Sequence, residues 1–129
     1  MAKMKHCPKN FAEANCILGN RDSLRLGNNT YLVSRFSPEE NDKHIAIRLH
    51  NTDIVKFYSN GRITLHTGGY QTVTTKDRIN QFIAGRVIQS NWTWRYEGFH
   101  GMDRYTVPFE EGMNVGTERE FSCYTNVAV

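Results

Sequence analysis

The stretch DIVKFYSNGRITLH, residues 53–66, decides the fold. Apolar and β-branched residues alternate with polar ones on either side of Asn60-Gly61, a pattern that reads as two strands joined by a tight turn. Asn and Gly are the residues that tolerate positive φ at both centres of a type I′ turn. The sequence therefore predicts type I′, with Tyr58 facing Ile63, Phe57 facing Thr64 and Val55 facing His66.

Working outward, HIAIRLH (44–50) alternates in the same way, and TYLVSRF (30–36) reads as a further strand. Between them SPEENDK (37–43) is a charged, proline-bearing loop. Downstream, RVIQS (86–90), WTWRY (92–96) and RYTVPF (104–109) read as three more strands. NFAEANCILG (10–19) predicts a short helix with Asn10 as its cap, Glu13 in a capping box and Gly19 as its stop. NRDSLRLGNN (20–29) is polar and turn-rich. TTKDRINQFIAG (74–85) predicts the central helix, over 75–84. Thr74 is its cap, Asp77 sits in its first turn, Ile79, Phe82 and Ile83 share a face, and Gly85 ends it.

The expected fold is a single α+β, mostly β domain: an antiparallel curved sheet or small barrel of six to seven strands with one or two short helices. A helical or irregular N-terminal extension would occupy 1–29, the β-rich core 30–110 and a tail 111–129, with one short strand near 121–124.

Composition sets the bounds. A chain of 129 residues, 39% hydrophobic and 22% charged, can bury a genuine core. Sixteen basic against thirteen acidic residues give a net charge of +3, which permits a nucleic-acid partner without demanding one. No apolar run reaches membrane-spanning length, and MAKMKHCPKNF lacks the apolar region of a secretory signal. Cys7, Cys16 and Cys123 are unevenly spaced and read as reduced, buried thiols of a cytosolic protein. Neither they nor the five histidines show paired metal-ligand spacing, so no metal or other cofactor is expected.

Three constellations are candidates for chemistry. In HTGGYQTVTTKDRINQF (66–82), Gly68-Gly69 lets the chain turn sharply, Tyr70 follows, and Thr74, Thr75, Lys76 and Arg78 stand at a helix start, where an anion such as phosphate is favoured. Ordinary capping explains the same residues, and the P-loop spacing is absent. Trp92, Trp94 and Tyr96 alternate, so they form either a stacking platform for bases or a core row. His50 and His66, with Asp53 near His50, can act as acid and base on a phosphodiester only if their strands neighbour each other.

The segment IAIRLHNTDIVKFYSNGRITLHTGGYQTVTTKDRIN resembles a recurring stretch in small proteins of tailed bacteriophages. The resemblance rests on Leu49, His50, Thr52, Asp53, Asn60, Gly61, Gly68, Gly69, Tyr70, Thr74, Thr75, Lys76, Arg78 and Ile79, with VPFEEGMNV (107–115) similar to the family's close. It covers roughly a third of the chain. Tyr70 departs from the Trp common at that place. The resemblance implies a phage origin and a setting in the cytoplasm of an infected host; it brings no catalytic assignment. The resulting expectation is a non-enzymatic binding protein, with a homodimer as one option, for a phosphate-bearing ligand (nucleic acid or a signalling nucleotide) or for a host defence protein. The alternatives are a small nuclease or phosphodiesterase using His50 and His66, and a structural virion component.

Overall fold

The structure is a computed structural model, and it describes residues 4–37, 42–100 and 102–116. Ten elements follow one another: α1 (Phe11–Leu18), β1 (Ser23–Gly27), β2 (Thr30–Ser37), β3 (Asp42–Leu49), β4 (Thr52–Tyr58), β5 (Ile63–Leu65), α2 (Val73–Asn80), β6 (Arg86–Ser90), β7 (Thr93–His100) and β8 (Asp103–Pro108). Strands β1 to β5 form one antiparallel sheet in chain order, and β6 to β8 a second. The fold is mostly β, as predicted, and among the described residues its eight strands form two open sheets rather than a barrel. The additional strand is β1, inside the segment read as turn-rich: Leu24 and Leu26 alternate with Ser23 and Arg25, and Leu26 is fully buried. The strand expected near 121–124 lies outside the described residues.

The hairpin at 53–66 exists, but one residue out of the predicted register. Val55 pairs with Leu65, Lys56 with Thr64 and Phe57 with Ile63. Of Asn60 and Gly61, only Gly61 has positive φ, at 99°. The Gly61 amide donates to the Tyr58 carbonyl (3.0 Å) and the Tyr58 amide to the Arg62 carbonyl (2.9 Å). These bonds define a three-residue loop with glycine at the bulge, which lengthens the turn by one and displaces every cross-strand pair. Type I′ geometry appears instead between β6 and β7, where Asn91 (φ 50°) and Trp92 (φ 68°) connect the paired Ser90 and Thr93.

Helix α1 forms as its capping signals dictate: Asn10 Oδ1 accepts from the Glu13 amide (2.8 Å), and Gly19 closes the helix at φ 64°. Helix α2 begins two residues before the predicted start and stops four before the predicted end. Thr72, rather than Thr74, caps it, accepting from the Thr75 amide at 3.1 Å. It ends because Asn80 turns to the second sheet, where its side chain exchanges two hydrogen bonds with the Val87 backbone (2.6 and 3.0 Å). Ile79, Phe82 and Ile83 are all buried, although only Ile79 is helical. Gly85 is therefore no helix stop; a side chain there would strike the Tyr96 hydroxyl and the Glu97 carbonyl.

The core lies on the inner face of the five-stranded sheet. Leu26, Leu32, Ile45, Ile47, Val55, Phe57 and Leu65 pack there with Ala14 and Leu18 of α1, the Ile79–Ile83 run, and Val87, Trp94 and Tyr96 of the second sheet. A bulge between Ile47 and Arg48 turns both Ile54 and Val55 inward. Cys7 and Cys16 are exposed free thiols, not buried ones, α1 presenting Cys16 on the side away from Ala14 and Leu18; Cys123 lies outside the described residues.

Candidate functional site

Two surfaces stand out, and the sequence points to only one of them. The first is a pocket of about 460 Å³ between the β3–β4 turn and the start of α2. The 67–75 segment shapes its rim. Glu111 takes the Thr67 amide (2.8 Å) and the Thr67 hydroxyl, which fixes the chain before the turn. Gly68 (φ 64°) and Gly69 (φ 90°) then reverse it, and the Tyr70 amide donates back to the Thr67 carbonyl at 3.0 Å. Of the residues singled out in the sequence, His50, Tyr70, Thr74 and Thr75 line this pocket, together with Leu49, Asn51, Thr52, Ile54, Thr67 and Thr72. His50 enters at φ 55°, a conformation unusual for a non-glycine residue.

The two cations expected beside the helix start do not line the pocket. Lys76 is half-buried. Arg78 is only 8% exposed and donates through Nε to Thr30 Oγ1 at 3.2 Å, tying α2 to β2 beneath the sheet. The lining is thus hydroxyls, aliphatic carbon, an amide and one imidazole, with neither lysine nor arginine.

Of the proposed acid–base pair, one member belongs to the pocket lining. His50 lines the pocket, whereas His66 does not; it lies beyond β5, hydrogen-bonded to Thr64 Oγ1 at 2.9 Å. Burial, then the neighbouring Lys56 charge, hold the His66 imidazole below the ordinary histidine range, against the opposing pull of Glu111 and Asp53. Asp53 itself is gripped by Arg35 through two bonds of 2.9 and 3.1 Å. The aromatic row is divided as well. Trp94 and Tyr96 are core residues, Trp94 meeting Phe109 edge-on at 5.5 Å, and burial raises the Tyr96 hydroxyl to about 12. Trp92, 92% exposed, sits at the tip of the β6–β7 turn rather than in a strand.

The second surface is the outer face of the five-stranded sheet. Strand alternation and the register put Arg25, Tyr31, Val33, Arg35, His44, Ala46, Arg48, Asp53, Lys56, Tyr58 and Thr64 on the side away from the core. Arg62 joins them by lying over the Tyr58 ring, 4.3 Å from its centroid. Tyr58 stacks in turn on His44, with centroids 4.7 Å apart. On the neighbouring strands Arg48 covers the Tyr31 ring at 4.9 Å.

Five cations on this face, Arg25, Arg35, Arg48, Lys56 and Arg62, meet a single described carboxylate, Asp53. Asp53 is already committed to Arg35. Among the described residues Arg48 and Arg62 have no carboxylate and no hydrogen-bond acceptor, and their Nε–H groups are buried without a partner. Each guanidinium lies over a tyrosine ring and makes no ion pair among the described residues; Asp53 stands opposite Arg48 in the register but is bonded to Arg35. None of Arg48, Lys56 and Arg62 stands out in the sequence alone, because only the strand register places them together. The available signal was the alternation of His44, Ala46 and Arg48 opposite Ile45, Ile47 and Leu49.

Among the described residues no helix is long and apolar enough to cross a membrane. A model of the Kyanoviridae Gp96 protein family matches residues 8–116. No match was found among curated proteins, and none among solved structures.

Proposed function

The chain belongs to the Kyanoviridae Gp96 family of phage proteins, and on that premise we propose that it acts in the infected host's cytoplasm as a non-enzymatic binding protein for a phosphate-bearing ligand. The ligand docks on the outer face of the five-stranded sheet. One observation carries this reading: two guanidiniums, Arg48 and Arg62, lie over tyrosine rings and make no ion pair among the described residues. A protein normally pairs its partly buried cations, and an arginine left unpaired offers phosphate a ready-made planar donor set. The absence of lysine and arginine from the pocket lining makes that pocket the weaker anion site. His50 lines the pocket without His66 beside it in the lining, which favours binding over hydrolysis.

A thermal-shift screen with nucleoside triphosphates, cyclic dinucleotides and single-stranded oligonucleotides at low salt tests the proposal. At least one ligand should raise the melting temperature of the parent and fail to do so for R48Q/R62Q, whose own melting temperature stays close to the parent's. Equal stabilisation of parent and variant would move the binding site elsewhere.

A further inference from the structure

The two tyrosine–arginine pairs are far apart, and their separation narrows the ligand. Arg48 on Tyr31 occupies the β2–β3 side near the β3–β4 turn; Arg62 on Tyr58 occupies the β4–β5 side at the opposite end. Four residues along the strands separate the Arg48 level from the His44–Tyr58 level. With the usual strand rise and spacing, the diagonal between the pairs is roughly 15 Å. Between them Ala46 and Val33 are buried beneath the longer side chains of the face, and Lys56 stands beside them on β4, so a ligand would rest on the flanking Arg48, Lys56 and Arg62.

Resting on the phosphate-ligand reading above, we infer that this face binds single-stranded nucleic acid, laid diagonally across β2, β3 and β4 from Arg48 to Arg62. A mononucleotide cannot engage both stations at that distance, whereas a strand of a few nucleotides can. The guanidinium planes, backed by tyrosine, take phosphates along their edges and bases against their outer faces. Lys56, midway, adds a further charge for the backbone. A duplex fits poorly, because base edges in its major groove are reached by a helix or a two-stranded ribbon, and a five-stranded sheet is too broad to enter.

The test is fluorescence anisotropy with oligo(dT) and oligo(U) in a length series from the mononucleotide to roughly a dozen nucleotides, with a duplex control, at several salt concentrations. Affinity should climb over the first few nucleotides and then level off. It should fall as salt rises, with a log–log slope of about −2 for three backbone contacts. R48Q/R62Q should lose about tenfold or more at unchanged melting temperature and flatten that slope by about 1.4. R48K/R62K, which keeps the charge and loses the plane, should recover the slope but not the full affinity. Comparison of dT with U tells DNA from RNA. If mononucleotides bind as tightly as oligomers and R48Q/R62Q weakens both, the face is a nucleotide site: the single-strand inference fails and the phosphate-ligand reading survives. If the duplex binds as well as the single strand, the inference also fails. If no phosphate-bearing probe binds at low salt, both readings fall.

Discussion

The pocket beside α2 and the outer face of the five-stranded sheet are built in opposite ways. The pocket takes most of its lining from two short runs of neighbouring residues, 49–54 and 67–75, bent into place by turns. The outer face takes alternate residues from β1 to β4, together with Thr64 of β5 and Arg62 of the β4–β5 loop, so that no two of its strand cations are near neighbours in the sequence. The consequence is chemical. The pocket is largely uncharged, with hydroxyls and backbone amides at a helix start; the face concentrates guanidinium groups, of which Arg48 and Arg62 make no ion pair among the described residues. A local motif thus marks where a chain turns, while charge density is a property of register.

Arg78 belongs to neither region but ties the helix beside the pocket to the sheet that carries the outer face, because it extends from α2 to Thr30 of β2 beneath the sheet. The largest expected effect is therefore its loss. Arg78→Ala removes a buried, charge-assisted bond, and chemical denaturation should show a destabilisation of about 1.5–3 kcal/mol. Lys76→Ala, two residues away and half-buried, should stay within about 0.5 kcal/mol. Equal effects of the two would mean that Arg78 is not the tie between helix and sheet.

A smaller change separates the regions. Thr72→Ala deletes the cap of α2 and should cost about 1 kcal/mol. The pocket rim is altered while the outer face keeps its geometry, so oligonucleotide affinity should remain that of the parent. A parallel loss of affinity would place the ligand at the pocket after all.

The smallest expected effect is a pH dependence. His66, at the margin of the outer face, has a folded-state pKa below the ordinary 6.5, with Lys56, Glu111, Asp53 and His44 as its charged or titratable neighbours. The unfolded chain protonates first as pH falls through 6.5, so stability is full above that value and declines as pH drops towards the folded pKa. An anion on the face favours the imidazolium, so binding should tighten by roughly a few-fold over the same window. His66→Gln should abolish both trends; a variant that keeps them assigns the titration to another group.

Much of the scaffold was legible in the sequence. Asn10 and Gly19 bracketed α1, the alternation in 44–49 set the inner and outer faces of β3, and Asn60-Gly61 marked the hairpin. What escaped was governed by contacts far along the chain. Asn80 ends α2 because Val87 is there to receive its side chain. The hairpin register depends on which of two turns Gly61 adopts, a choice of one residue that local composition does not make. The bulge that turns Ile54 and Val55 inward leaves Asp53 facing outward, where it neutralises Arg35, so that Arg48 and Arg62 make no ion pair among the described residues.

The most direct measurement is a two-dimensional amide NMR titration with a short single-stranded oligonucleotide. Perturbations should concentrate at Tyr31, Ala46, Arg48, Lys56, Tyr58 and Arg62, with the 67–75 segment nearly still. Shifts confined to His50, Tyr70 and Thr72 to Thr75 would contradict the outer-face assignment and return the ligand to the pocket.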